Sequence, residues 1–126
     1  MDKREFFAVI FVLLATVGTV AGVFAYRNAS EKGSIMLLAQ SPEKGNWDPQ
    51  TITVERGKQV DLTIRNIDTV SHAFYIPAID FLVREIKAGE VAKVNFTIPD
   101  AGEYLFLCGV WCSDYHMQMR GKVIVQ

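Results

Sequence analysis

The chain has 126 residues, half of them hydrophobic, and a formal net charge of -1. That length admits one compact domain plus an anchor, and the near-balanced charge argues against a nucleic-acid partner. Charged residues at 21% and aromatics at 11% exclude global disorder, and two cysteines are too few for a disulfide-built scaffold.

The first predicted element is the uncharged run from Phe6 to Tyr26, FFAVIFVLLATVGTVAGVFAY. At ~1.5 Å per residue it spans a ~30 Å hydrocarbon core as a helix. A cleaved signal peptide is the competing reading. The run is longer than the ~7–15 residues usual for a signal's apolar region, and no A-x-A site follows it. Residues 1–26 are therefore expected to form a retained transmembrane anchor. Phe6 and Phe7 at one end and Tyr26 at the other suit the two membrane interfaces. Lys3 and Arg4 before the run and Arg27 and Lys32 after it nearly tie the positive-inside rule, so charge alone orients the helix poorly. Gly18 and Gly22 form a G-x-x-x-G pair near Ala15 and Ala21. It either lets a second helix approach closely or reflects how common glycine is in such helices.

Residues 27–34, RNASEKGS, are polar and read as a tether to a domain over 35–126. Short apolar runs then recur: SIMLLA, TITVERG, VDLTIRN, HAFYIPA, FLVREI, VAKVNFTI, EYLFL and KVIVQ. Several alternate apolar and polar residues, as Thr51 to Glu55 and Lys93 to Thr97 do. Turn signals around Gly45, Gly57, Gly89 and Pro99 to Gly102 separate them. Eight or so short strands at this spacing predict an all-β sandwich or small barrel. No long amphipathic helix pattern, internal repeat or low-complexity segment follows the anchor.

The chemistry concentrates between the last two runs. Cys108, Cys112, His116, Met117 and Met119 fall within twelve residues, and the remaining histidine, His72, opens the HAFYI run. Thiolate, thioether and imidazole together favour copper, with zinc second. An iron–sulfur cluster wants about four cysteines, and the C-x-x-C-H of a c-type haem is absent. Taken singly, each residue has a plainer role. Cys108 and Cys112 could form a disulfide, though so short a loop gains little from closure. His72 could be an ordinary strand-end histidine, and Met117 or Met119 could be packing. The joint spacing is what points to a metal.

That spacing resembles the binuclear copper (CuA) loop C-x-x-x-C-x-x-x-H-x-x-M of cytochrome c oxidase subunit II. Cys108, Cys112, His116 and Met119 match it position for position. HAFYIP resembles the family's H-S-F-x-x-P and would supply His72. The W-D-P-x-x-I-x-V segment at Trp47, V-D-L-x-I-x-N at Val60 and P-x-x-G-E-Y at Pro99 extend the resemblance over most of the domain. It is closest to the single-anchor form of B-type haem–copper oxidases. The resemblance implies a cupredoxin-like Greek-key β-sandwich or barrel behind one transmembrane helix. It implies His72, Cys108, Cys112, His116 and Met119 as side-chain copper ligands, with Val110 contributing its main-chain carbonyl. The family role is electron transfer: cytochrome c or a small copper protein would donate to CuA, and haem in a catalytic oxidase subunit I would accept. The chain would sit in the cell membrane as a single-pass protein, its copper domain on the outer or periplasmic side. Oxygen reduction would need the partner subunit.

Three departures from the family pattern matter. Ser113 stands where a glycine usually follows the second cysteine, and Val110 stands where many members carry a glutamate that reaches a magnesium ion. No magnesium ligand is expected at Val110. One extra residue separates Asp68 from His72, which unsettles the local register. Trp47 and Trp111 are candidates for electron uptake from the donor, with Trp47 equally suited to plugging the core. From residue 27 onward 11 Lys and Arg face 12 Asp and Glu, which argues against strongly salt-dependent docking.

Other classes fit less of the sequence. A mononuclear blue-copper carrier would leave one cysteine spare. A thioredoxin-like copper chaperone needs alternating helices and strands. A CuA subunit of another respiratory complex, such as a nitric oxide reductase, is indistinguishable at this level. The propeller domain of a nitrous oxide reductase is too large for this length.

Overall fold

A computed structural model describes residues 2–31 and 33–126. They form two compact units, Met1–Gly33 and Ser34–Gln126.

The first unit is one helix, α1 (Lys3–Glu31). Its stretch Lys3–Arg27 is long and apolar enough to cross a membrane by length and composition, with a mean hydropathy of 2.5. Glu5 lies in the first turn and accepts from the Asp2 N–H at 2.9 Å, a favourable charge at a helix start. The hydroxyls of Thr16 and Thr19 each donate to the carbonyl four residues back at 2.9 Å. These bonds satisfy the two hydroxyls in the middle of the apolar run. The helix extends past Tyr26 into the segment read as a tether. Nothing in RNASE breaks a helix, since its residues lack proline and glycine; the break falls before Gly33, which adopts φ 116°. Residue 32 of the tether lies outside the described residues.

The second unit contains eight strands: β1 (Ser34–Ala39), β2 (Thr51–Val54), β3 (Gln59–Asn66), β4 (His72–Ile76), β5 (Phe81–Ile86), β6 (Val91–Thr97), β7 (Gly102–Cys108) and β8 (Arg120–Val125). Each coincides with an apolar run of the sequence. They form a three-stranded sheet, β1-β3-β6, and a five-stranded sheet, β2-β8-β7-β4-β5. Neighbours are antiparallel except two parallel pairs, β1 with β3 and β2 with β8. Period-2 alternation reports which face is buried but not strand direction, so the parallel pairs have no sequence signature.

The inner faces share one core. Leu37, Leu62, Ile64 and Phe96 come from the smaller sheet. Ile52, Phe74, Ile76, Ile86, Phe106, Val123 and Val125 come from the larger. Each such side chain contributes about 1.5–3 kcal/mol when removed from water, which is what closes the two sheets on each other. Trp47, from the β1–β2 connection, is wholly buried against Phe74 and Phe106, with ring centroids at 5.7 and 5.8 Å. Gly121 is required where β8 crosses Phe106, because a Cβ there would overlap that ring and the Gln50 carbonyl.

Candidate metal centre

Two neighbouring strands and one loop bring the predicted residues together. β4 and β7 pair antiparallel, with Phe74 opposite Cys108. His72 therefore starts one strand while Cys108 ends the other, at the same edge of the sandwich. The β4–β5 register shifts between His72 and Phe74. Such a bulge re-aims the side chain beside it, here the imidazole.

Residues 109–119 join β7 to β8 as a tight loop. The Cys108 N–H donates to the Met119 carbonyl at 3.0 Å, pinching the two ends together. Inside, the His116 N–H donates to Ser113 O and the Met119 N–H to His116 O, both at 3.0 Å, across a short 3₁₀ turn at His116–Gln118. Next to Cys108, the Gly109 N–H donates to Ala73 O at 3.1 Å and ties the start of the loop to β4. A loop tied at both ends and turned on itself holds Cys112, His116 and Met119 in fixed relation to Cys108.

Two sulfur–nitrogen pairs result. Cys108 Sγ lies 3.8 Å from His72 Nδ1, and Cys112 Sγ lies 3.6 Å from His116 Nδ1. The donor atoms of His72, Cys108 and Cys112 all lie within 4.8 Å of one another. Met119 Sδ is 3.6 Å from Cys112 Sγ, and the Val110 carbonyl is 3.2 Å from Cys108 Sγ. His72, Cys108, Cys112 and Met119 are buried, with at most 6% exposure, whereas His116 is half-buried. Both cysteines are free thiols, so the disulfide reading is set aside.

The spacing fits metal. Thiolate sulfur about 2.3 Å and imidazole nitrogen about 2.0 Å from one tetrahedral ion lie roughly 3.5 Å apart. Both sulfur–nitrogen pairs are already near that separation, and their donors are the soft set that favours copper.

The two thiols are electrostatically unequal. Burial pushes the Cys108 thiol up, but hydrogen bonds from His72, from the backbone at Ala73 and Val110 and from Cys112 outweigh it and bring it below the usual thiol range. Burial, then the nearby Cys108 charge, with Asp68 and Glu43 adding to it, pushes Cys112 up to about 12. Ligation needs thiolates, so metal binding must draw off the proton that Cys112 holds more tightly than usual.

Trp47 requires a correction. Its exposure is 0%, so it does not lie on a docking surface. It plugs the core instead, and its Nε1–H donates to the Met119 carbonyl at 3.3 Å. Trp111 is 71% exposed within the ligand loop, beside exposed Tyr115 and Met117.

Asp68, in sequence no more than a register mark, lies beside the candidate ligands. Its buried carboxylate Oδ2 lies 3.1 Å from His72 Nε2. The only sequence signal is a carboxylate four residues before a candidate ligand. Ser113, the departure from the family glycine, reaches Glu43 Oε2 at 3.2 Å and so ties the loop to the β1–β2 connection.

Residues 8–125 match the cupredoxin-like domain family. The chain belongs to that family. Cytochrome c oxidase subunit 2 of Thermus thermophilus is 30% identical to this cupredoxin over 80 residues, 64% of the chain and 58% of the relative. Nitrous-oxide reductase of Pseudomonas fluorescens is 34% identical over 98 residues, 75% of the chain but 15% of the reductase. The cupredoxin thus spans little more than half the length of the first relative and a small part of the second. A chain in a cryo-EM structure of a heme-copper terminal oxidase dimer superposes with a TM-score of 0.62 at 20% identity, covering 98% of this chain and 99% of that one. The cupredoxin fold together with the His72, Cys108 and Cys112 cluster supports copper as the metal. The apolar N-terminal helix fits a single-pass anchor.

Proposed function

We propose that this cupredoxin is the electron-accepting subunit of a respiratory haem–copper oxidase. It would take electrons from cytochrome c or a small copper protein and pass them to haem in a catalytic membrane subunit. The observation that carries the reading is the pair of sulfur–nitrogen couples, at 3.8 and 3.6 Å, standing side by side on one edge of the sandwich. Two couples suit two ions better than one, because His116 is not part of the cluster formed by His72, Cys108 and Cys112. Two coppers held by these residues would supply a one-electron relay in which the charge change is shared.

The chain's own residues would hold and shield that relay. Cys108 and Cys112 would hold the metal through thiolate sulfur and His72 and His116 through imidazole nitrogen, with Met119 Sδ and the Val110 carbonyl as weaker ligands. The strand pair β4–β7 and the pinched loop restrict ligand movement, and small rearrangement favours fast electron transfer. Burial of His72, Cys108 and Cys112 keeps water from the thiolates. Residues 1–26 would anchor the domain 35–126 through the segment 27–34, with the copper domain on the outer side of the cell membrane. Gly18 and Gly22 would offer a close-packing face to the catalytic subunit.

Copper counting combined with electron paramagnetic resonance on the full chain in detergent tests the reading. Two coppers per chain, with hyperfine structure from one electron spread over both nuclei, is the expected result. One copper with a mononuclear spectrum would replace the proposal with a blue-copper carrier. Absence of copper uptake would remove the metal reading altogether. Co-purification with a haem-bearing subunit then separates an oxidase from an isolated carrier.

A further inference from the structure

A cavity of about 140 Å³ opens beside the β7–β8 loop. Its lining includes Cys108, His116, Met117 and Met119, so four soft or borderline donors share one recess. They are graded in depth. Cys108 and Met119 are at most 2% exposed, His116 is half-buried and Met117 is 82% exposed. The recess therefore leads from a thioether in solvent, through an imidazole, to a buried thiol.

Packing does not account for Met117, because a side chain so exposed removes little apolar surface from water. Its backbone is nevertheless fixed. It is the middle residue of the 3₁₀ turn His116–Gln118. The Gln118 N–H donates to the Tyr115 carbonyl at 2.8 Å, the Met119 N–H to His116 O at 3.0 Å, and Asn46 Nδ2 to the Gln118 carbonyl at 2.9 Å. The turn thus keeps an exposed sulfur at the rim, next in sequence to His116. Leu105 adds an apolar wall, and Arg120 is the one residue of the lining with a full charge at neutral pH. With no carboxylate in the lining, a hard cation finds nothing there to attract it. A thioether holds copper(I) by soft-donor character rather than by charge, so the recess favours that ion.

We propose that this recess is the entry path for copper(I) and that Met117 is its first, transient ligand. The proposal rests on the reading of Cys108 and His116 as copper ligands and adds how the ion reaches them. Passage inward is ligand exchange without electron transfer. The bond to Met117 Sδ breaks as bonds to the His116 imidazole and the Cys108 sulfur form, and the thiol proton leaves to water. The ion stays copper(I) throughout, and Met117 is not a ligand of the filled site.

The test mixes the metal-free, reduced full chain in detergent with copper(I), supplied anaerobically as its acetonitrile complex. Thiolate-to-copper ultraviolet absorbance follows uptake. Met117→Leu keeps an apolar side chain of similar size and removes the sulfur. It is expected to slow uptake several-fold, while final copper content and the paramagnetic spectrum after oxidation match the wild type. Leu105→Trp, at a wall position 48% exposed, is expected to slow uptake by narrowing the recess. Cobalt(II), for which a thioether is a poor ligand, should enter the wild type and Met117→Leu at equal rates. A copper(I) rate equal to the wild type's in either variant would overturn the proposal. So would a lower copper content or altered spectrum in Met117→Leu, which would make Met117 part of the filled site. Equal slowing of copper(I) and cobalt(II) in Met117→Leu would overturn it too, by marking a merely structural effect. A wild-type chain that takes up no copper would instead defeat the metal reading itself, an outcome distinct from filling at a rate indifferent to Met117.

Discussion

His72 and Cys108 stand on paired strands β4 and β7, at 0% and 2% exposure, with a buried carboxylate behind the imidazole. Cys112 and His116 stand on the connecting loop, held by short turns, with exposed Trp111, Tyr115 and Met117 around them. The first half takes its rigidity from sheet hydrogen bonds and core packing. The second takes it from a loop closed on itself at Cys108 and Met119. An electron relay of the kind proposed would need both stiffness and access, and the fold divides them between the halves: the strand half fixes geometry and the loop half meets the surface.

The harshest way to break that comparison is to remove one sulfur from either half. On the proposed reading, Cys108→Ser and Cys112→Ser should each abolish the two-copper site, because a hydroxyl is a poor ligand for copper. Copper counting and the paramagnetic spectrum read the outcome. If either variant kept two coupled coppers, neither half would depend on its thiolate and the division above would be mistaken.

Next in size is the support beneath the strand half. Trp47 is fully buried against Phe74, Phe106 and His72 and holds the Met119 carbonyl. Trp47→Ala should cost about 3–5 kcal/mol, the range for deleting a large buried aromatic. Urea unfolding of the metal-free chain, followed by fluorescence of Trp111, measures it. A loss below about 1 kcal/mol would mean that the site end of the core collapses easily and gives the strand half no special rigidity.

The strand half was also the more legible in sequence. All eight strands coincide with apolar runs because alternation and glycine turns are local signals. The candidate ligand residues stood out because thiols, imidazoles and thioethers are rare and fall at fixed intervals. The parallel pairings β1–β3 and β2–β8 were not legible, since they depend on which strands meet across the chain. Neither was Asp68, a common residue whose place beside His72 is set only when the Ser41–Trp47 connection folds over it. Trp47 was ambiguous for a related reason: an aromatic before a strand can point inward or outward, and only packing decides.

The thiols offer a gentler probe of the same inequality. Cys108 lies below the usual thiol range and Cys112 near 12, so ultraviolet thiolate absorbance of the metal-free chain should rise in two separated steps. For Cys112 the sign follows from its raised value. The folded state holds that proton more tightly, so its contribution to stability is full below the unfolded thiol value of about 8.5 and is lost as pH climbs towards 12. Cys108 has the opposite sign and adds stability as pH rises through its lowered value, so of the two thiols only Cys112 contributes to a decline above about pH 9, to which Tyr75, raised by burial and by Asp80, adds at higher pH. Cys112→Ser should flatten that decline in urea midpoints measured across pH. A single thiolate step, or a decline that survives the substitution, would show the halves to be electrostatically alike.

The smallest stability effect should come from the loop half, where it is paired with a kinetic one. Trp111 is 71% exposed and immediately precedes Cys112. Removing so exposed a side chain should change unfolding free energy by no more than about 0.5 kcal/mol. If the loop half is where the donor docks, Trp111→Ala should nevertheless slow cytochrome oxidation while leaving the copper spectrum intact. With 11 basic and 12 acidic residues from position 27 onward, that rate should depend only weakly on ionic strength, since apolar contact rather than long-range charge would guide docking. An unchanged rate with an intact spectrum would remove Trp111 from the electron path. It would also move the docking surface to another part of the loop, towards Tyr115 and Met117, the other exposed apolar side chains beside His116.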